Sequence, residues 1–480
     1  MEWEIVMGLE VHVELATKTK IFCSCTTEFG GAPNTHCCPV CTGMPGTLPV
    51  LNRKVLEYAV KAGLALGCDI TRYNKFDRKN YFYPDLPKAY QISQLYLPFA
   101  RNGKVDFVTR SGKEASVRIH EIHMEEDAGK LVHSAFGDAT FPDYNRCGVP
   151  LIEIVSEPDF RSAEEVVAYL EKLKTTFEYL GISDCKMQEG SMRADVNLSV
   201  RKKGEEKFGT RTEMKNINSF KAIERAIAFE SARQIEVIEG GGTVTQETRR
   251  WDDNKGKTYA MRSKENAQDY RYFPEPDIPP ISISEDTIKE YIGQMPEFAC
   301  EKVKRYKSQF GISEADAEII AGSKYLAALF EKTAELCGDP KEVRFWIMSQ
   351  IMYFMNERGL APEDITLEPE QFARFINIVK SDRINRQTGK TVFEAMLFAD
   401  KDFDIEKYIK DNDLEQVDDT SAIREAVAKV FAANPAAVEQ YKNGQTKVVG
   451  FFVGQVMKET RGKAKPDTVN KTVIEELEKI

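Results

Sequence analysis

The stretch Ile119-His-Glu-Ile-His-Met-Glu-Glu-Asp-Ala-Gly-Lys130 alternates its side chains at the period of a β-strand. Neighbouring side chains of a strand point to opposite faces, so His123, Glu125 and Asp127 share one face. The opposite face carries His120, Ile122, Met124 and Glu126. Carboxylate oxygens suit hard divalent cations such as Mg²⁺. A solvent-facing edge strand also carries alternating charge, so this segment alone leaves both interpretations open.

Three further segments repeat this alternation. The polar face of Gly8–Leu15 contains Glu10, His12 and Glu14. That of Met192–Val200 contains Arg193, Asp195, Asn197 and Ser199, and that of Arg211–Ile217 contains Arg211, Glu213 and Lys215. An antiparallel sheet with one face on a core and the other face open explains the alternation. It does not explain why the open face is rich in Glu, Asp, His, Arg and Asn. We therefore predict a site for a metal ion and phosphate groups on a concave sheet.

The length of 480 residues predicts two or three domains, and a hydrophobic content of 42% is ordinary for water-soluble cores. No run approaches the ~18 to 20 apolar residues that a membrane helix needs. The first residues, Met-Glu-Trp-Glu-Ile, lack the basic and hydrophobic regions of a secretory signal. We therefore expect a cytoplasmic protein that does not engage a membrane.

The net charge of −10 argues against nonspecific binding of nucleic acid, but the charge is unevenly distributed. Lys442–Lys465 contains six basic residues against one acid, and Arg72–Tyr90 contains five basic residues, two acids and six aromatics. Interleaved cations and aromatic rings can hold phosphates and stack on bases. The alternative for the second run is a loop whose tyrosines cover another domain. Both runs together are compatible with RNA binding at a defined place.

Five of the ten cysteines fall between Cys23 and Cys41. Cys38-Pro-Val-Cys41 and Cys23-Ser-Cys25 form two close pairs, which suit a tetrahedral Zn²⁺ site. A site closed by four protein ligands is structural rather than catalytic. Cys37 or His36 could replace one ligand, and reduced cysteines packed in a loop remain the alternative.

The rest of the chain predicts the fold class. Gly148–Pro158 is typical of a buried strand closed by proline, and Ser162 with Glu165 predicts a capping box for a helix that ends at Gly181. From about Asp286 the strand pattern gives way to helical periodicity that lasts to the final residues. We predict an α+β protein, with an N-terminal domain on an antiparallel sheet flanked by helices, then an all-α domain and an α-helical tail.

The open face suggests a chemistry. Phosphoryl transfer needs a cation that neutralises phosphates and positive groups that meet developing charge. The candidate Mg²⁺ ligands are Glu10, His12, Glu125 and Glu213. The candidate phosphate contacts are Arg193 and Lys215. The sequence has no GxxxxGK[ST], GxGxxG or GxSxG motif, which argues against P-loop, dinucleotide-binding and serine-hydrolase sites. From the residues alone, the prediction is a metal-dependent site on a sheet, beside RNA-binding patches.

Five stretches extend this interpretation, because in this order they resemble the B subunit of the aspartyl/glutamyl-tRNA amidotransferases, in the bacterial and zinc-bearing branch. The stretches are Gly8–Leu15, Phe76–Asp85, His123–Lys130, Pro150–Pro158 and Tyr270–Asp277. The resemblance covers essentially the whole chain, including a YqeY-like tail. It implies a cradle-shaped catalytic domain over residues 1–292, a helical domain over 293–405 and a tail over 406–480 that contacts tRNA.

The resemblance also implies the reaction. ATP phosphorylates the side-chain carboxylate of Glu on misacylated tRNA(Gln), or of Asp on tRNA(Asn), and ammonia then displaces the phosphate. A glutaminase, the A subunit, is expected to supply the ammonia, and a small C subunit is expected to complete the enzyme. The alternatives are a noncatalytic tRNA-binding scaffold and a metal-dependent ligase that uses free amino acids. Which tRNA is used in the cell depends on the accompanying synthetases.

Roles are carried over by position. The Mg²⁺ ligands are Glu10, His12, Glu125 and Glu213, and the zinc ligands are Cys23, Cys25, Cys38 and Cys41. The catalytic residues are Glu125, Arg193, Asp195 and Lys215, and the contacts to ATP are Lys79 and Asn216.

Overall fold

The computed structural model describes residues 2–134, 136–263, 269–399, 403–416, 420–460 and 463–480. The described chain divides into two compact units, Met1–Phe298 and Ala299–Ile480. No helix in these ranges is long and apolar enough to cross a membrane. The division into three domains at residues 292 and 405 stays a prediction.

The first unit is built on a mixed sheet that has nine strands among the described residues. The strands of this unit are β1 (Trp3–Glu14), β2 (Asp69–Ile70), β3 (Tyr73–Asn74), β4 (Asp77–Asn80), β5 (Tyr90–Ser93), β6 (Ala100–Val108), β7 (Glu114–Glu126), β8 (Lys130–His133), β9 (Thr140–Asp143), β10 (Pro150–Ser156), β11 (Met192–Lys202), β12 (Thr212–Lys215), β13 (Glu247–Asp252), β14 (Lys257–Ser263), β15 (Phe273–Pro274) and β16 (Ile281–Ser282). The large sheet has the order β14-β13-β12-β11-β1-β10-β7-β6-β2, and smaller sheets pair β15-β4-β5, β16-β3 and β8-β9.

The helices of this unit are α1 (Arg53–Ala65), α2 (Ala163–Leu180), α3 (Phe220–Glu239) and α4 (Glu285–Gly293). The apolar residues of β1 and β11 join α1, α2 and α3 in one buried core. The face of the sheet that packs on these helices is called the back face, and the other is called the open face. The α+β class is therefore confirmed.

One neighbouring pair of the described sheet, β12 with β13, is parallel, so the predicted antiparallel sheet is mixed at this point. A parallel pair needs a crossover connection, which α3 supplies between these strands.

Of the two hydrogen bonds of the predicted capping box at the start of α2, one is present and the other is not. Ser162 accepts the Glu165 backbone N–H at 3.2 Å, but the Glu165 carboxylate accepts from the backbone N–H of Arg161 at 2.7 Å instead of from Ser162.

The second unit is helical. Its helices are α5 (Ala299–Phe310), α6 (Glu314–Ala321), α7 (Lys324–Cys337), α8 (Pro340–Trp346), α9 (Met352–Arg358), α10 (Pro369–Lys380), α11 (Arg386–Leu397), α12 (Ile405–Asp411), α13 (Thr420–Ala433), α14 (Pro435–Lys442), α15 (Val448–Glu459) and α16 (Pro466–Glu478). A π-helical turn, Ile347–Ile351, joins α8 to α9. One apolar core runs from Tyr306 to Ile409 and another from Ile423 to Leu477.

Candidate functional site

The sheet register places four polar side chains in one row across the open face. His123 of β7 lies opposite Glu153 of β10, Glu153 lies opposite His12 of β1, and His12 lies opposite Arg193 of β11. Directly opposed residues of antiparallel strands have Cα atoms about 4.5 to 5.5 Å apart. Strand pairing alone therefore brings together residues that are far apart in the chain.

The first group of candidate metal ligands surrounds Glu153 and is called the histidine cluster (His12, His123, Glu125 and Glu153). Glu153 Oε2 lies 2.9 Å from His123 Nε2 and 3.5 Å from His12 Nε2. Glu125 lies 3.5 Å from His12 Nε2 and 3.7 Å from His123 Nε2. Ligand atoms of His12, Glu125 and Glu153 all lie within 4.8 Å of one another, which is compatible with one shared cation.

Electrostatics in the histidine cluster favour charged groups despite burial. Burial disfavours the imidazolium forms, but Glu153 and Glu125 outweigh it, so the pKa of His12 is raised and that of His123 is raised to about 10. Burial also disfavours the charged form of Glu153, but the two imidazoles hold its pKa well below the usual range. A bound cation would take the place of these protons, because a metal-ligating imidazole must be neutral.

The second group is called the carboxylate cluster (Glu10, Asp195 and Glu213), and its ligand atoms also lie within 4.8 Å of one another. Lys215 Nζ lies 2.5 Å from Asp195 Oδ2 and 2.9 Å from Glu213 Oε1. Asn197 Nδ2 donates to Glu10 Oε1 at 3.0 Å. Burial, with Glu153 and Glu213 nearby, raises the pKa of Glu10. Three carboxylates around one ammonium leave excess negative charge, which a divalent cation could neutralise.

Arg193 joins these clusters to a third set of charges. Its Nη2 donates to Asp127 Oδ2 at 2.9 Å, and Arg146 Nε lies 3.4 Å from the same oxygen. Burial and the neighbouring Asp127 raise the pKa of Glu14 to about 8. Arg193 Nε is buried and has no hydrogen-bond partner among the described residues. The guanidinium of Arg193 is therefore only partly satisfied by the described residues.

The two predicted ATP contacts lie in different settings. Lys79 of β4 has its Nζ 4.9 Å from the centre of the Tyr270 ring. Burial disfavours its charged form, but the nearby Glu125 raises its pKa, so Lys79 is a cation beside the histidine cluster. Asn216 follows β12 with φ +66°, and its side-chain amide donates to the Trp251 carbonyl oxygen at 3.3 Å. That amide is engaged with the backbone of β13.

The structure divides the four predicted Mg²⁺ ligands between the two clusters. His12 and Glu125 belong to the histidine cluster, and Glu10 and Glu213 belong to the carboxylate cluster. Asp195, predicted as a catalytic residue, completes the carboxylate cluster. Sequence reasoning missed Glu153, because Gly148–Pro158 was interpreted only as a buried strand. The signal was one acidic residue among the apolar side chains of that strand.

The predicted zinc ligands lie together in the loop that follows β1. The sulfur atoms of Cys23, Cys25, Cys38 and Cys41 lie within 4.8 Å of one another, so this group could bind a metal ion and is compatible with a structural zinc. Cys37 is outside the group, because its Sγ is directed at the Asn34 carbonyl oxygen, 3.3 Å away. The His36 ring lies 3.2 Å from the Glu28 carbonyl oxygen.

Comparisons with known proteins agree with this architecture. The family model described as the GatB/GatE catalytic domain matches residues 5–289, and that described as the GatB domain matches residues 328–477. An aspartyl/glutamyl-tRNA(Asn/Gln) amidotransferase B subunit from Lachnoclostridium phytofermentans is 58% identical over 99% of both chains. The protein of the same name from Lachnospira eligens is 58% identical over 99% of both chains. That from Caldicellulosiruptor saccharolyticus is 56% identical over 100% of both chains. This chain therefore belongs to the family of the B subunit of the aspartyl/glutamyl-tRNA(Asn/Gln) amidotransferases.

Proposed function

We propose that this chain is a subunit of a glutamine-hydrolysing tRNA amidotransferase, a carbon–nitrogen ligase. It would convert Glu on tRNA(Gln), Asp on tRNA(Asn), or both, into the corresponding amide. The names of its relatives support this activity. The observation that carries the proposal is the presence of both clusters on one open face, linked through Glu10 and His12 of β1. These two residues are two positions apart, about 7 Å along a strand.

The two clusters are the proposed Mg²⁺ sites. Glu10, Asp195 and Glu213 would hold one cation, and His12, Glu125 and Glu153 would hold another. Bound Mg²⁺ would neutralise the phosphates of ATP and the charge that develops during phosphoryl transfer. The predicted catalytic residue Asp195 is proposed as a cation ligand, because a carboxylate repels phosphate. Lys79, Arg193 and Lys215 remain the proposed phosphate contacts.

A cavity of about 450 Å³ beside the carboxylate cluster is the proposed place for the nucleoside of ATP. Glu10 and Asn197 lie at its border with that cluster, and Gly8, Val6 and Phe208 line its body. Small and apolar residues of this kind accept a flat base, while the polar border accepts a ribose and its phosphates. A nucleotide seated here would present its phosphates to the carboxylate cluster.

The reaction then proceeds in two steps on the open face. A side-chain carboxylate oxygen of the aminoacyl group attacks the γ-phosphorus, the bond to ADP breaks, and an acyl phosphate forms. Ammonia attacks the acyl carbon, inorganic phosphate leaves with the C–O electron pair, and the nitrogen loses a proton to give the amide. A carboxylate resists ammonia until its oxygen becomes a good leaving group, which explains the need for ATP.

The proposed partners follow from the same family. The relatives are named as B subunits, which supports assembly with other chains, and we propose a glutaminase, the A subunit, together with a small C subunit. The enzyme would act in the cytoplasm, and the four cysteines would hold a structural Zn²⁺. The basic residues of the tail would contact tRNA. Of the predicted turn Arg461–Lys465, the residues Arg461 and Gly462 lie outside the described residues.

The decisive experiment is ATP hydrolysis by the chain with its partner subunits, with ammonia supplied, in the presence and absence of misacylated Glu-tRNA(Gln). Hydrolysis that requires the charged tRNA and yields Gln-tRNA(Gln) would establish the transferase. Asp-tRNA(Asn) in a parallel reaction would identify the second substrate. Tight tRNA binding without ATP use that depends on charged tRNA would instead leave a noncatalytic scaffold. Turnover with free amino acids would indicate a ligase of another kind.

A further inference from the structure

Glu230 of α3 is a buried carboxylate behind the carboxylate cluster, on the back face of the sheet. Its side chain has no exposed surface. The groups that contact its oxygens are Thr212 Oγ1 (2.9 Å), Gln234 Nε2 (3.1 Å), Arg233 Nη2 (2.5 Å), Arg233 Nε (2.9 Å), Thr258 Oγ1 (2.8 Å) and Arg249 Nε (3.3 Å). Burial raises the pKa of Glu230, but Arg233 and the other donors outweigh it, and the pKa is lowered. Glu230 is therefore charged and fully hydrogen-bonded.

These contacts connect α3 to four neighbouring strands. Thr212 begins β12, Arg249 lies on β13 and Thr258 lies on β14. Gln234, one turn after Glu230, donates to the Leu198 carbonyl oxygen of β11 at 3.2 Å. The network thus spans the end of the sheet that carries the carboxylate cluster.

Three anchors of this network, on β11, β12 and β13, are next in sequence to residues of the open face. Thr212 precedes Glu213, which belongs to the carboxylate cluster, and Leu198 follows Asn197, which donates to Glu10. Arg249 follows Thr248, and Thr248 Oγ1 donates to Glu213 Oε2 at 2.7 Å. Adjacent residues of a strand point to opposite faces. The back-face network is therefore one residue away from the cluster in three strands.

β12, which carries Thr212 of this network, has only four residues. It pairs with β11 on one side and, in the parallel sense, with β13 on the other. A slip of one residue in a strand moves every side chain to the opposite face. Here a slip would bury Glu213 and would remove Thr212 from Glu230. The buried charge and its donors make that slip costly.

We propose that Glu230 is a positioning residue that fixes β12 and β13 so that Glu10, Asp195 and Glu213 form a divalent-cation site. The inference rests on the proposed function, since it assumes a cation at the carboxylate cluster. Glu230 acts through Thr212, Arg249 and Gln234 and touches neither the cation nor the substrate. Residues that orient metal ligands change metal affinity by about 10- to 100-fold when they are replaced.

The test uses Mn²⁺ as the probe and the full chain with Glu230→Gln. The amide keeps the size of the side chain but presents an N–H to groups that themselves donate. Glu236→Gln is the matched control, because Glu236 lies on the exposed side of the same helix. Paramagnetic resonance distinguishes the two sites, since Mn²⁺ at the histidine cluster couples to imidazole nitrogen and Mn²⁺ at the carboxylate cluster does not.

We expect the native chain and Glu236→Gln to bind Mn²⁺ at both clusters. Glu230→Gln should keep its circular dichroism and its nitrogen-coupled site, while affinity at the other site falls about 10-fold or more. Hydrogen exchange of the β12 amides should be faster in that variant. If Glu230→Gln does not fold, Thr212→Val is the second variant. It removes one hydrogen bond to Glu230 without changing a charged residue, and it should weaken Mn²⁺ binding at the carboxylate cluster.

Other outcomes separate this inference from the proposed function. If the native chain binds Mn²⁺ only at the nitrogen-coupled histidine cluster, the carboxylate cluster has no cation role and the proposed function is contradicted at that cluster. A native chain with both sites, and a folded Glu230→Gln variant with the same two affinities and unchanged exchange, would overturn the positioning role alone. If Glu230→Gln does not fold, a Thr212→Val variant that binds Mn²⁺ at the carboxylate cluster as tightly as the native chain would also overturn the positioning role.

Discussion

The carboxylate of Glu153 lies 2.9 Å from Nε2 of His123, and the two side chains are 12% and 10% exposed to solvent. Glu153 also lies 3.5 Å from His12, so one carboxylate holds two imidazoles of the open face. This arrangement explains why the pKa of His123 is raised to about 10 although burial opposes its charge.

Replacing Glu153 by Gln should lower the pKa of His123. Glu153 is the main group that raises this pKa, and without it only Glu125 is left to oppose the effect of burial on His123. The five histidines of the chain can be followed by NMR of imidazole ¹⁵N as a function of pH. Glu157→Gln is the control, because Glu157 pairs with His120 at 2.9 Å and should leave His123 unchanged. A His123 that still titrates near pH 10 in Glu153→Gln would contradict this assignment.

Replacing Glu125 by Ala should abolish ATP turnover and spare tRNA binding. Glu125 is a proposed cation ligand and approaches both histidines of its cluster, so its loss should lower turnover by at least about 100-fold. ATP hydrolysis with charged tRNA and a filter-binding assay measure the two properties separately. Glu114→Ala, at the exposed start of the same strand, should behave as the native chain. Unchanged turnover in Glu125→Ala would remove Glu125 from the site.

Loss of Glu230 should destabilise the first unit in a pH-dependent manner. The pKa of this carboxyl is lowered in the folded chain, so its stabilisation is complete above the ordinary value of 4.5. The stabilisation is lost as the pH falls through the lower, folded value. At pH 7, Glu230→Gln should lower the free energy of unfolding by about 3 kcal/mol, as for other broken buried ion pairs.

Urea unfolding of the native chain and of Glu230→Gln from pH 7 to pH 3 measures how the stabilisation by Glu230 depends on pH. The difference between the two free energies should shrink only below pH 4.5. A difference that grows toward acid pH would have the wrong sign for a carboxyl with a lowered pKa.

Cys41→Ala should remove bound zinc, whereas Cys37→Ser should retain it. Cys41 belongs to the group of four sulfur atoms, and Cys37 Sγ is directed at the Asn34 carbonyl oxygen. Metal analysis of the purified chains gives the zinc content, and Co²⁺ substitution gives the thiolate-to-metal absorption. Equal loss of zinc in both variants would place Cys37 among the ligands.

Neutralising exposed lysines of the tail should weaken tRNA binding and its salt dependence. Replacing Lys442, Lys447 and Lys458 by Gln should lower the slope of log K against log[salt] by about 1 for each lysine that neutralises a phosphate. Fluorescence anisotropy with labelled tRNA at several salt concentrations measures the slope. A variant with the same change in charge at Lys18, Lys255 and Lys289, which are exposed in the first unit, is the control. Equal slopes in the two triple variants would exclude a specific tail contact.

The sequence alone predicted which side chains share a face, because the strand period is local. The open faces of β1, β7, β11 and β12 carry the polar residues expected there. The start of α2 was predictable for the same reason, since Ser162 caps the helix that it precedes. The two cysteine pairs are also local patterns, and the structure brings their four sulfur atoms together.

Only the tertiary structure decided which of these faces meet. Glu153 joined the site because β10 lies between β1 and β7, and the order of strands in a sheet cannot be derived from their periodicity. The four predicted ligands divided between two clusters because the register sets His12 opposite Glu153 and Glu10 opposite Asp195. Register and strand order depend on contacts between distant segments of the chain. Local pattern therefore determined the chemistry of each strand, and long-range packing determined its partners.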